Sequence, residues 1–125
     1  MVTLGDDDEV ADSEMEPPVI TQTLKSLTVQ DGNTARLECN VTGRPRPNIS
    51  WFHESTLIEP SPDFMQFYDN DNLCSLVIKE VFPEDTGKYT VAAKNVLGTT
   101  TSSAELLVED AEGKIMVPPS GKLWN

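Results

Sequence analysis

The chain has 125 residues and a net charge of −12, with 21 acidic residues against 9 basic ones. Its length suits one domain of ordinary size with tails. The negative charge argues against nonspecific binding to nucleic acid or to an anionic membrane, and no apolar run approaches the ~20 residues that a membrane-spanning helix needs.

The two ends of the chain differ in composition from its middle. Residues 1–16 carry seven acids and no base. A run of like charge with few large apolar side chains cannot bury enough surface to fold, so we expect an acidic disordered tail there, with a docking element for a partner as the alternative. Residues 111–125 are polar, with two adjacent prolines and Trp124 near the end, and are predicted to be a flexible segment or linker.

Residues 17–110 consist of short alternating segments separated by turn residues, and none of them carries a sustained 3.6-residue period. The predicted strands, in chain order, are VITQTL, SLTVQ, TARLECNVT, ISWFHE, FMQFYD, LCSLVIKEV, KYTVAAK and TTTSSAELLVED. Seven to nine short strands over about 94 residues are typical of a two-sheet sandwich. The predicted fold class is therefore all-β.

The alternation also predicts which side chains face the core. In TARLECNVT every second residue is apolar from Ala35 to Val41, which is the pattern of a half-buried antiparallel strand. Trp51 is the largest core candidate, and its burial is worth several kcal/mol by area. The predicted core residues are Cys39, Trp51, Leu76, Tyr89 and Val91.

Five stretches, in this order and spacing, resemble an immunoglobulin domain of the I-set. They are LEC (37–39), GRPRPNISW (43–51), CSLVIKEV (74–81), EDTGKY (84–89) and NVLG to SAELLV (95–108). The resemblance covers about three quarters of the chain. It is strongest with muscle and actin-cytoskeleton members, namely titin repeats, the telokin-like domain of myosin light chain kinase, and palladin and myopalladin modules. It implies a Greek-key antiparallel sandwich.

The stretch EDTGKY has the residues of a tight corner. Tyr89, near the start of its strand, can send its hydroxyl back to the backbone of the corner. Asp85 can accept backbone N–H bonds there, as aspartates do in turns. Gly87 relaxes the steric restriction on the backbone at this point. We therefore predict that Asp85, Gly87 and Tyr89 together specify this corner.

The two cysteines bear on the cellular compartment. In the usual pattern of the family Cys39 would bond to position 91, where this chain has Val91. Cys74 lies on the strand expected to neighbour that of Cys39, so a bond between them stays open if their Cα atoms lie within about 7 Å. We expect both thiols to be reduced and buried, since free cysteine behaves as a small hydrophobe. A sandwich without a disulfide suits the reducing cytosol.

Two sequence matches favour a different compartment. Asn40-Val-Thr and Asn48-Ile-Ser fit the N-glycosylation pattern, which matters only in a secreted protein. Strands and turns rich in Asn, Ser and Thr produce such matches by chance, and we interpret both in that way. A glycan at either site on the native protein would overturn the cytosolic assignment.

No set of residues has the spacing of a catalytic, metal or cofactor site. His53, the only histidine, has no evident nucleophile partner and is expected to be an ordinary surface or edge residue. The turn DNDN (69–72) begins like a calcium loop, but Leu73 and Cys74 follow where ligands and a glycine are needed. We therefore predict no enzymatic activity, no cofactor and no metal.

Arg44 and Arg46, separated by one proline, form the only compact basic spot in residues 17–110. They are candidates for a contact with an acidic partner protein such as actin, because palladin-type domains resemble this one and bind filaments through basic patches. The opposing argument is that this region carries −6 overall, so its long-range field would repel an acidic filament.

These features predict a non-catalytic scaffold module, monomeric by itself, within a larger cytoplasmic protein of the sarcomere or actin cytoskeleton. Terminal strands clamped by hydrogen bonds would resist pulling, and sheet edges and loops would bind other proteins or neighbouring domains. Two alternatives are an extracellular adhesion or receptor domain, which the sequons favour, and a regulatory segment attached to a muscle kinase.

Overall fold

A computed structural model describes residues 14–116 of the chain. Most of the predicted acidic tail, together with Trp124, lies outside these residues. The strands are β1 Glu16–Gln22, β2 Leu27–Gln30, β3 Ala35–Arg44, β4 Asn48–His53, β5 Thr56–Leu57, β6 Phe64–Tyr68, β7 Leu73–Ile78, β8 Gly87–Asn95 and β9 Gly98–Glu109. A 3₁₀ turn at Pro83–Asp85 precedes β8. Within residues 14–116, no helix is long and apolar enough to cross a bilayer.

The strands form two sheets, and the predicted all-β sandwich is confirmed. One sheet has the order β1-β3-β7-β6 and the other the order β2-β9-β8-β4-β5. Among the described strands, every pairing is antiparallel except that of β2 with β9, which run parallel through residues 27–30 and 106–109. This exception to the expected antiparallel arrangement arises because the chain crosses from one sheet to the other between β1 and β2.

The core lies between the two sheets and is built from alternate residues of their facing strands. In β3 the burial pattern alternates strictly from Ala35 to Val41, as the sequence indicated. The side chains predicted for the core are at most 1% exposed: Cys39, Trp51, Leu76, Tyr89 and Val91. The sandwich therefore excludes water from a continuous apolar layer that includes the position of the missing cysteine.

The structure describes the backbone on both sides of the predicted domain, residues 17–110. Strand β1 begins at Glu16, the last residue assigned to the acidic tail. The segment after β9, predicted to be flexible, turns back on itself, and Ile115 forms an antiparallel bridge with Glu109. Backbone hydrogen bonding therefore extends beyond the predicted exit of the domain, as far as Met116.

Candidate functional site

The corner before β8 is built around the Tyr89 side chain. Its hydroxyl donates to the carbonyl oxygen of Asp85 at 2.6 Å, in a buried hydrogen bond. Asp85 Oδ2 in turn accepts the backbone N–H of Phe82 at 2.8 Å. Burial raises the pKa of the Asp85 carboxyl, although the bond from Phe82 acts in the opposite direction. These bonds fix the direction in which the chain enters the strand that carries Val91 into the core.

Gly87 allows a close approach at the start of β8. Its φ of +148° is one that residues with a side chain rarely adopt. A Cβ atom there would lie 2.6 Å from Glu54 Oε2 and 2.7 Å from His53 Nε2. The space that glycine leaves allows Glu54 Oε2 to accept the backbone N–H of Lys88 at 2.9 Å, which joins the corner to the end of β4.

His53 is not an ordinary surface residue, contrary to expectation. Its ring stacks on the ring of Tyr89 with a centroid separation of 4.4 Å and an interplanar angle of 2°. Its Nε2 lies 3.2 Å from the carbonyl oxygen of Thr86. The signal that could have found this contact is spacing, because residue 53 lies two positions after Trp51 and so shares its inward face.

The two thiols face each other across neighbouring strands. Cys39 on β3 is the direct register partner of Cys74 on β7, and both are buried free cysteines. A hydrogen bond to Cys39, together with burial, raises the pKa of the Cys74 thiol. Val91 lies on the other sheet, opposite Trp51 in the register of β4 and β8. Both side chains therefore pack inside the core as direct neighbours, and their reduced state stays a prediction.

Both candidate contact arginines have partners within the chain. Arg46 donates to the carbonyl oxygens of Tyr68 and Asp69 at 2.8 and 2.9 Å, and its guanidinium carbon lies 3.6 Å from the centre of the Tyr68 ring. Arg44 forms an exposed ion pair with Glu16 at 2.9 Å. Arg46 joins the loop after β3 to the end of β6, and Arg44 joins the end of β3 to β1, so a partner would compete with these bonds. The local sequence contained no signal for these contacts.

The parallel pairing of β2 with β9 connects the beginning of the domain to its end. Asp31 N–H donates to the carbonyl oxygen of Glu109 at 2.9 Å, at the end of the four-pair register. Backbone groups of a strand alternate between its two edges, so Val29, two residues earlier, also faces β9. Residues 79 positions apart in the chain, such as Val29 and Val108, thus lie side by side.

The other half of β9 has no paired strand on its outer edge within residues 14–116, although the segment before β2 lies beside it and Leu24 N–H donates to Ser102 Oγ at 3.1 Å. Glu105 N–H donates to Ser26 Oγ at 2.9 Å, away from β8, so the alternation turns the backbone groups of Thr99, Thr101 and Ser103 toward the same edge. Strand β2 covers only residues 106–109, and no described strand pairs with residues 99–103 along this edge. The side chains of these three residues are exposed. This free edge, residues 99–103, can accept another strand.

Comparison with known proteins gives one matching family and a consistent set of relatives. The immunoglobulin I-set domain model matches residues 18–108. The chain is 51% identical over 92 residues to titin of Drosophila melanogaster, covering 74% of this chain and, to the nearest percent, 0% of that titin. It is 39% identical over 113 residues to myopalladin of Mus musculus, and the match covers 85% of this chain and 8% of that myopalladin. It is 42% identical over 92 residues to telokin of Meleagris gallopavo, and the match covers 74% of this chain and 60% of that telokin. The chain thus spans less than two thirds of each relative.

Solved structures agree with the sequence relatives. The titin domains Z1Z2 in complex with telethonin match with a TM-score of 0.73 and 42% identity, covering 78% of this chain and 49% of that one. The complex of titin M10 with an obscurin-like 1 immunoglobulin domain matches with a TM-score of 0.73 and 25% identity, covering 84% and 99%. The resemblance to muscle and cytoskeletal domains inferred from the motifs is therefore confirmed.

Proposed function

We propose, from the premise that this chain belongs to the immunoglobulin I-set family, that it is a non-catalytic module for mechanical support and protein binding. It acts within a larger cytoplasmic protein of the sarcomere or the actin cytoskeleton. Its similarity to titin and myopalladin supports this location. The named complexes of titin domains with telethonin and with obscurin-like 1 support protein partners.

The observation that carries the mechanical role is the parallel pairing of β2 with β9. Strand β2 lies close to the start of the domain and β9 close to its end. Tension that pulls the two ends apart acts along both strands in opposite directions, so the bonds between them are loaded together in shear. Bonds loaded together resist more force than bonds that open one after another. We call this pairing, residues 27–30 with 106–109, the terminal clamp.

Replacing Val29 by proline tests the terminal clamp. Proline removes the N–H that faces β9, whereas the matched control Val29→Ala trims the partly buried side chain and keeps that N–H. Because one hydrogen bond is worth about 1 kcal/mol net, we expect Val29→Pro to unfold about fivefold faster than Val29→Ala at the same applied force. The measurement is single-molecule force spectroscopy of the full chain. Equal unfolding rates for the two variants would refute the clamp.

The free edge at residues 99–103 supports the binding role. Unpaired N–H and C=O groups along a strand give affinity for an extended segment of another protein, and the side chains beside them give specificity. Thr99, Thr101 and Ser103 present both kinds of group on one edge. A partner strand added there would extend the five-stranded sheet without disturbing the terminal clamp.

A second candidate function is a regulatory segment attached to a muscle kinase. The 42% identity with telokin, over 60% of that protein, favours it. The domain would be non-catalytic in this role as well, and it would act by binding. An extracellular adhesion role is favoured only by the exposed position of Asn48 in its sequon. The state of the two thiols separates that role from the cytoplasmic ones.

A further inference from the structure

After β9 the chain makes a tight hairpin that returns it to the domain. Asp110 N–H donates to the carbonyl oxygen of Lys114 at 2.8 Å, and Gly113 N–H donates to that of Asp110 at 3.0 Å. Asp110 Oδ1 accepts the backbone N–H groups of Glu112 and Lys114, each at 2.9 Å. Gly113 has a φ of +85°, which glycine adopts readily. The turn is therefore specified by two of its own residues, Asp110 and Gly113.

The returning strand is fastened to the domain at Met116. Its N–H donates to the carbonyl oxygen of Val108 at 2.7 Å. The Thr86 hydroxyl accepts the N–H of Val108 at 3.1 Å and donates to the carbonyl oxygen of Met116 at 3.4 Å. The Met116 side chain packs against the hydrophobic core. This strand continues the line of β8, which begins only at Gly87, and covers the end of β9 on the side away from β2.

We propose that residues 110–116, here named the C-terminal latch, form a releasable element in series with the terminal clamp. This inference rests on the proposed mechanical function. Tension that reaches the domain from beyond Met116 meets the latch before it meets Glu109. The latch is attached by a few hydrogen bonds and one partly buried side chain, whereas the clamp has four register pairs and packs both Leu27 and Val29 against the core. The latch therefore opens first, while the sandwich stays folded.

Opening of the latch lengthens the chain by a defined amount. In the folded state Val108 and Met116 lie on adjacent strands, about 5 Å apart. The eight residue steps from Val108 to Met116 span at most about 27 Å when they are fully extended. Release therefore adds about 2 nm of length with the core intact, and the turn preference of Asp110 and Gly113 allows the latch to close again when tension falls. The domain thus has a small reversible extension that precedes its unfolding.

Asp110 offers a set of matched variants for the test. Asp110→Ala removes the acceptor of two backbone N–H groups, so we expect the latch to open about tenfold more often, the equivalent of about 1.4 kcal/mol. Asp110→Asn keeps the oxygen acceptor and is expected to behave nearly like the wild type. Glu112→Ala alters an exposed side chain of the same turn and serves as the control. All variants are made in the full 125-residue chain.

Two measurements on these proteins decide the proposal. Under a slow force ramp between the two chain ends, the wild type should lengthen reversibly by about 2 nm before it unfolds. Asp110→Ala should shift this step to lower force and leave the main unfolding force unchanged. Without force, the Met116 amide should exchange with solvent about tenfold faster in Asp110→Ala than in Glu112→Ala.

Three outcomes would overturn it: no early step in the wild type, an early step that Asp110→Ala does not shift, or a main unfolding force that falls together with it. The last result would make residues 110–116 part of the clamp itself. Failure of the proposed mechanical function has a different signature, because the main unfolding would then occur at low force while the amide exchange of Met116 still responded to Asp110.

Discussion

The Tyr89 hydroxyl and the Asp85 carbonyl oxygen are joined by a buried hydrogen bond of 2.6 Å across the corner before β8. Residues only four positions apart in sequence thus determine how the chain passes from one sheet to the other. The same tyrosine ring carries the stacked His53. The corner is therefore a local feature whose contribution to stability can be measured with single substitutions.

Tyr89→Phe should lower the free energy of unfolding by about 1–3 kcal/mol, because it leaves the buried carbonyl of Asp85 without its donor. Tyr68→Phe is the matched control. The Tyr68 hydroxyl also donates to a backbone carbonyl, that of Val41, at 2.9 Å, but Tyr68 is only partly buried, so water can replace the bond. Urea unfolding of the two variants tests this. A larger loss for Tyr68→Phe than for Tyr89→Phe would contradict the prediction.

The strands and the core were predictable because burial in a sandwich has a period of two, and the sequence displays that period directly. Trp51 and Tyr89 faced the core for this reason. The contacts of Arg46 with Tyr68 and Asp69 were not predictable, since nothing local to residue 46 indicates a partner 22 positions away. Such contacts depend on how the sheets stack, which a single sequence does not encode locally.

The C-terminal latch is an intermediate case. Asp110 followed three residues later by Gly113 is a hairpin-turn signal, and this signal was present in the sequence. The polar composition of residues 111–125 outweighed it and favoured a flexible exit. The returning strand is short, and its only substantial core contact is the Met116 side chain. A segment this short does not show a hydrophobic period, so periodicity does not predict its strand.

The Asp85 carboxyl should make the free energy of unfolding decrease as pH rises. Burial raises its folded-state pKa, so the folded protein retains this proton at acidities where the unfolded chain, with a pKa of about 3.9, has lost it. Stability should therefore fall as pH rises from about 4 through the folded-state pKa. Asp85→Asn cannot titrate and still offers an oxygen to Phe82 N–H, so its stability should lack this fall.

Urea unfolding of the wild type and Asp85→Asn at several pH values between 3 and 7 measures the difference between them. The stability of the variant relative to the wild type should increase as pH rises across this interval. A difference that stays constant with pH would show that Asp85 does not titrate differently in the folded and unfolded states, and a decreasing difference would reverse the assigned direction.

The two cysteines should be reduced and shielded in the native protein. Cys39 and Cys74 are both at most 1% exposed, so a thiol reagent should modify them only when the domain opens. We expect two titratable thiols when the wild type is purified without reductant and then denatured, and one thiol in Cys39→Ser treated in the same way. A count of zero in the unreduced wild type would demonstrate a bond between Cys39 and Cys74, and would favour the extracellular role.

The free edge at residues 99–103 makes a prediction about binding. Thr101→Pro removes an N–H that faces the open edge and has no partner strand, so the fold should tolerate it. Thr101→Val keeps that N–H and similar side-chain volume. If a partner adds a strand here, Thr101→Pro should weaken its capture from muscle lysate at least tenfold, while Thr101→Val should retain it. Equal capture by two variants with unchanged melting temperatures would exclude the free edge and favour another surface, such as the end of β3 and the loop after it, which carry Arg44 and Arg46.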